Sequence, residues 1–512
     1  MKLLRCNKST ASVPGSRLPM AIAVDDLDNL DQLTPAADPL AALRAMPVSP
    51  ARGWAVRGGG RDHHVGQSSV WQGTSTQLAG LYPFLSGSGA QVRGIPIGRD
   101  LTTHEPIGLD PGAWLADGLV TNTGLWIQAQ PGVGKSSFAK RLGVGLCAFG
   151  WIFFIPADIK GEYTQLVRRL GGTVIVVGRG AEAVNPLDPG PLAALLAVTP
   201  AGRERDAVRE IIRARQAALL EGLLLLEIGR PPNTTERAIL SRALDLATDA
   251  ARSTEPTIPE VRECLDEAPD QLLQMARTDD DLTRYLDLVR PMLSALDLLC
   301  DGPLRGLFDR RSTARPTADA PAISLDISAL DEETDETVAA AMLCSWAWGS
   351  ALVEARQLGA ARKNIFWVQD EMWRALRAGP RLVELSDRMT RFNRHKGVAS
   401  AYLTHSRDDL EALPSEQDRA KARGIAARCA IHVYGGLPTR ELASLPVADR
   451  EAEMLASWQS AGTWVRGYRH PGRGLYLLKA GERLGLPVRM ELTEVERELY
   501  NTDTAFVKTV SP

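Results

Sequence analysis

One stretch constrains this chain more than any other: Ala129, Gln130, Pro131, Gly132, Val133, Gly134, Lys135 and Ser136, followed by Ser137. Before it, Gly124-Leu-Trp-Ile-Gln128 has the character of a short buried strand, and after it Ser137-Phe-Ala-Lys-Arg-Leu142 opens a helix. A strand, a turn ending in Gly-Lys-Ser and a helix together make a P-loop pattern. Gly132 and Gly134 let the backbone curl so that successive N–H groups face phosphates, and the helix adds its positive N-terminal end. In that pattern Lys135 reaches the β- and γ-phosphates and the Ser136 hydroxyl ligates Mg²⁺. Ala129 stands where the first glycine is usual, a small residue at a strand end. The plain alternative is a glycine-rich loop that holds no nucleotide; the intact Gly-Lys-Ser favours ATP with Mg²⁺.

At 512 residues the chain has room for two or three domains. The net charge of −3 gives no overall basic field to draw in nucleic acid. The six cysteines are scattered with no Cys-x-x-Cys, which argues against zinc and for reduced thiols. The longest mainly apolar uncharged runs, Leu142–Ala157 and Thr337–Val353, fall short of the ~18–20 residues a membrane span needs. No apolar core follows Lys2, Arg5 and Lys8, so a signal peptide is not expected, and a cytoplasmic protein is.

Composition and periodicity predict a Pro/Gly-rich leader over 1–70 and the first part of an α/β domain over 71–190. An all-helical insertion over 191–320, the second part of the α/β domain over 321–500 and a tail over 501–512 follow. Strand-like segments at 94–98, 106–110, 151–155, 173–177, 322–326, 364–368, 398–403, 431–434, 474–478 and 488–492 alternate with helical ones. That alternation implies a mostly parallel, doubly wound sheet. The insertion reads as helices over 205–228, 235–251, 258–275 and 282–300, and a long helix is expected near 334–357.

Three further features bear on chemistry. Ile365-Phe-Trp-Val-Gln-Asp-Glu371 is a Walker-B pattern, expected on a strand next to the P-loop strand. The acid that ends such a strand, Asp370, holds the metal, and Glu371 polarises the attacking water as general base. An ordinary strand end with two solvated acids is the alternative. Arg388, Arg391 and Arg394 then fall at i, i+3 and i+6, with His395 and Lys396 beside them. Arg394, and next Arg391, are the candidates for an arginine reaching a neighbour's γ-phosphate, against a solvated or DNA-facing helix side. Thr404-His-Ser406 ends the following strand, where a polar side chain such as His405 can sense the γ-phosphate or simply be a structural histidine.

With these residues in view, the chain from about 75 to 502 resembles the HerA–FtsK group of RecA-like motor ATPases, and more narrowly the VirB/TraC-type ATPases of conjugation and type IV secretion. The marks are Thr76-Gln-Leu-Ala-Gly-Leu-Tyr-Pro-Phe84, the P-loop, Asp158-Ile-Lys-Gly-Glu-Tyr163, and Leu170-Gly-Gly172 leading to Asn185-Pro-Leu-Asp188. Gly306-Leu-Phe-Asp309, Asp370-Glu371-Met-Trp373, Arg394-His-Lys-Gly397 and Leu492-Thr-Glu-Val-Glu-Arg-Glu-Leu499 complete them. The resemblance implies a RecA-like P-loop NTPase fold with an all-α insertion, and a hexamer or other homo-oligomer sharing active sites. It also implies partners among membrane channel proteins of a secretion apparatus. Two departures are visible: the family usually has Gln where His405 stands, and its channel-docking N-terminal domain is absent or reduced to the short leader. Three functions remain in view: a secretion or conjugation motor, a soluble DNA translocase or coupling protein, and a nucleotide-gated scaffold that barely hydrolyses.

Overall fold

A computed structural model describes residues 93–501, apart from 179–180, 252–254, 280, 303, 316–318, 360–362, 372–373, 375–376, 378–382, 385–394, 407, 412, 414 and 460–471. The leader, Thr76–Phe84, almost all of the tail, and Arg388, Arg391 and Arg394 therefore lie outside the described residues.

Among the described residues eleven strands form one sheet: β1 (Ile95–Asp100), β2 (Pro106–Leu109), β3 (Leu125–Gln128), β4 (Ile152–Asp158), β5 (Thr173–Val176), β6 (Ala322–Asp326), β7 (Ile365–Gln369), β8 (Val398–Thr404), β9 (Ile431–Tyr434), β10 (Leu475–Ala480) and β11 (Leu486–Met490). Their order is β2-β1-β11-β10-β9-β3-β8-β7-β4-β6-β5. From β9 through β5 every neighbouring pair is parallel, and β10, β11, β1 and β2 close one side as an antiparallel ribbon. The parallel strands are apolar runs because both of their faces are covered.

Alternation along each strand sorts these residues into two cores, as a period of two requires. Ile152, Phe154, Ile365 and Trp367 point to one face, and Phe153, Ile155, Phe366 and Val368 to the other. The first face carries the helix Asp335–Leu358, and the helices between β5 and β6 join the same apolar cluster through Leu220, Leu240, Val261 and Tyr285. The second face takes the P-loop helix Lys135–Ala148 through Phe138, Leu142 and Leu146. Gly349 lets the long helix sit tight on the sheet: a Cβ there would run into the rings of Phe154 and Trp367.

Two expectations are corrected, and one apolar run is placed. The Walker-B strand β7 is not beside the P-loop strand β3; β8 pairs with both and separates them. The expected helix over 258–275 is two helices, Ile258–Glu267 and Asp270–Ala276. Pro269 lies between them: it has no N–H to continue the ladder, and Ala268 before it turns left-handed at φ +49°. The apolar run 337–353 belongs to a 24-residue helix, long and apolar enough to cross a membrane by length and composition, yet 78% of its apolar window is buried inside the molecule. It is a core helix of this fold.

Candidate active site

The site forms where β3, β8, β7 and β4 end, because parallel strands deliver the residues that follow them to one edge of the sheet. Register makes this concrete: Gln128 pairs with Thr404 and Gln369 with Tyr402, so the P-loop, His405 and the Walker-B acids emerge side by side.

In the P-loop, Gly132 and Gly134 adopt φ of +81° and +109°, conformations that glycine reaches without steric cost. Gly134 immediately precedes the helix that begins at Lys135. Ala129 is fully buried, and a Cβ added at Gly435 would run into its methyl group at 2.6 Å. A side chain from the antiparallel ribbon braces the loop: the Tyr476 hydroxyl donates to the Gly134 carbonyl at 2.8 Å.

Lys135 is only 7% exposed. Its ammonium donates to the Ala129 carbonyl at 3.0 Å and to His405 Nδ1 at 2.6 Å. An ammonium only donates, so Nδ1 must accept, and the ring proton sits on Nε2, which faces Glu371 Oε1 at 3.1 Å. Burial pulls the Lys135 ammonium down to about 8, against the opposing pull of Asp370 and Glu371. A phosphate anion is the partner that would restore it.

Ser136 Oγ donates to Asp370 Oδ2 at 2.9 Å, and the Tyr163 hydroxyl donates to the same oxygen at 2.8 Å. Hydroxyl and carboxylate oxygens at this spacing are the hard donors Mg²⁺ takes, and Mg²⁺ keeps most of its water while using one or two protein oxygens. Ser136 and Asp370 fit that role. Glu371 is 7% exposed and turns out of the strand at φ +51°, a left-handed conformation unusual for a non-glycine residue and concentrated at functional sites. Burial alone would raise its carboxyl, but hydrogen bonds from His405 and Lys160 outweigh that and hold it well below the usual carboxylate range.

Neither a protein-family model nor a curated protein matches the sequence. Solved structures do. VirB4 of Thermoanaerobacter pseudethanolicus matches with a TM-score of 0.56 at 19% identity, over 80% of this chain and 99% of that one. The chain has a RecA-like P-loop ATPase fold. The plasmid coupling protein TrwB in complex with ADP and Mg²⁺ matches with a TM-score of 0.45 at 12% identity, over 80% of this chain and 97% of that one.

The structure thus brings together Lys135, Ser136, Asp370, Glu371 and His405, drawn from three strand ends. Arg391 and Arg394 lie outside the described residues; beyond them, His395 and Lys396 are exposed. Sequence reasoning gave no role to four residues that the fold sets against this group. Tyr163 and Lys160 grip the Walker-B acids, and Tyr476 braces the P-loop. The buried carboxylate of Glu441 ties the P-loop strand to the turn after β8, accepting from Gln128 at 3.2 Å and from Ser406 at 2.5 Å. The run Asp158–Tyr163 was visible as a family mark, which was a signal for the first two. Nothing local marked Tyr476 or Glu441.

Proposed function

We propose that this chain is an ATP-hydrolysing motor of a conjugative DNA-transfer or type IV-like secretion apparatus. The observation that carries the reading is the single cluster of Lys135, Ser136, Asp370, Glu371 and His405 at the strand ends of a VirB4-like fold. The P-loop from Ala129 to Ser137 cradles the phosphates, and Lys135 gives up the Ala129 carbonyl and His405 for them. Ser136 and Asp370 hold Mg²⁺, which supplies charge neutralisation to the phosphates when bound. Glu371 orients and deprotonates the attacking water, while His405 links that carboxylate to the P-loop lysine and reports which partner the lysine has.

A homo-oligomer, by analogy a hexamer, would let Arg394 or Arg391 of one subunit complete a neighbour's site. The 191–320 helices would then serve as an insertion between two halves of one ATPase domain, 71–190 and 321–500. The partners would be channel proteins at the inner face of the cell membrane, and the moved substrate would be DNA or protein.

The deciding experiment is steady-state ATP hydrolysis by the full chain, with and without single- and double-stranded DNA, across protein concentration. Turnover that rises with concentration and ignores DNA supports the secretion motor. Strong DNA stimulation moves the reading to a translocase or coupling protein. No turnover under any condition refutes hydrolysis and leaves a nucleotide-gated scaffold.

A further inference from the structure

The loop after β4 takes no part in the reaction as derived above, yet it touches both Walker-B acids. It is closed on itself: the Asp158 carboxylate accepts the Glu162 N–H at 3.0 Å and the Tyr163 N–H at 2.8 Å. From this closed loop the Tyr163 hydroxyl reaches Asp370, and Lys160 Nζ donates to Glu371 Oε1 at 2.5 Å. The two partners of that ion pair differ in setting. The Lys160 side chain is half exposed, whereas that of Glu371 is 8% exposed, so the lysine meets a buried carboxylate from the solvent side.

Resting on the ATPase reading, we propose that Lys160 is a second phosphate-binding cation. It holds Glu371 while the site lacks nucleotide, and exchanges that carboxylate for the terminal phosphate of a nucleoside triphosphate. Three features support the exchange. A triphosphate entering beside Asp370 and Glu371 meets strong repulsion, and Lys135 and Lys160 both lie within interaction range of these acids. A lysine is a point charge on a flexible stem and swaps anionic partners without a fixed bidentate geometry. Glu371 keeps the His405 Nε2 donor when Lys160 leaves, so it stays oriented while losing the cation that masks its oxygen. The base thereby loses its lysine only when substrate has arrived.

The test is equilibrium binding of a non-hydrolysable β,γ-imido ATP analogue and of ADP, each with Mg²⁺, to the full chain. Lys160→Met should weaken the analogue about tenfold, the loss expected for one hydrogen bond to a charged group, and leave ADP within about twofold. Lys160→Arg should recover most of the preference for the analogue. Glu371→Gln frees Lys160, so it should tighten analogue binding, and that gain should shrink by about fivefold when Lys160→Met is added. Equal losses for both nucleotides in Lys160→Met would mean a merely structural lysine and overturn the proposal. So would a Glu371→Gln gain undiminished by Lys160→Met. If the unmodified chain binds neither nucleotide, the ATPase reading falls and this inference with it; if it binds both and only the Lys160 effects are missing, the inference alone falls.

Discussion

Lys135 should make nucleotide affinity depend on pH in a window where the phosphates themselves no longer titrate. Burial lowers its ammonium from the ordinary 10.5 to about 8, with the Ala129 carbonyl and His405 Nδ1 as its hydrogen-bond acceptors. Bound phosphate favours the charged form and pushes the group back toward its ordinary value. Below about pH 8 the lysine enters the complex already protonated. Above it, binding must take up a proton, so affinity for ADP should fall about tenfold between pH 7 and pH 9. Stability without nucleotide moves the other way. Below about pH 8 the lysine is charged in both folded and unfolded chains, so the cost of burying that charge is fully present. As the pH rises from about 8 toward 10.5 the folded chain sheds the proton first, and that cost is relieved. Fluorescence titration of a labelled ADP from pH 7 to 9.5, with thermal melts alongside, reads both. Lys135→Arg should flatten the affinity profile, since a guanidinium stays charged throughout, and Lys135→Ala should abolish measurable binding. The phenols of Tyr163 and Tyr476 are pushed above their usual range by burial and stay neutral in this window. A wild-type affinity that is level from pH 7 to 9.5, or a slope that survives Lys135→Arg, would refute the reasoning.

Two further outcomes are expected. Glu371→Gln should lower kcat by about 10²–10⁴-fold while nucleotide stays bound, the range for loss of a positioned general base; turnover at the unmodified rate would remove Glu371 from that role. Gly349→Ala, far from the chemistry, should destabilise the fold by about 1–3 kcal/mol, because its methyl group overlaps Phe154 and Trp367 in a packed core; an unchanged melting temperature would show that the helix can shift to make room.

Much of the fold could be read directly. β3, the P-loop turn and the helix Lys135–Ala148 are consecutive in the chain, and strand, glycine turn and helix each leave a local pattern of apolar spacing and backbone need. The buried parallel strands read as short apolar runs, and their ends fell within a few residues of the expected positions. The break at Pro269 was missed because helical periodicity continues across it, although the proline itself was in plain view.

Which residues face each other at the sheet edge could not be read from the chain. The sequence names two motifs, but nothing in either says that a third strand, β8, lies between them and carries His405 into contact with both Lys135 and Glu371. Strand order is a long-range property: each parallel connection can cross to either side of its neighbour, and the outcome depends on which faces the helices cover. The same holds for Tyr163 on Asp370 and Lys160 on Glu371, pairs separated by 207 and 211 residues. Phosphate chemistry could be expected from the chain alone, because a P-loop is a local pattern. How the acids of that site are gripped, and by which cation, is a matter of distance through space, and only the folded sheet brings those groups together.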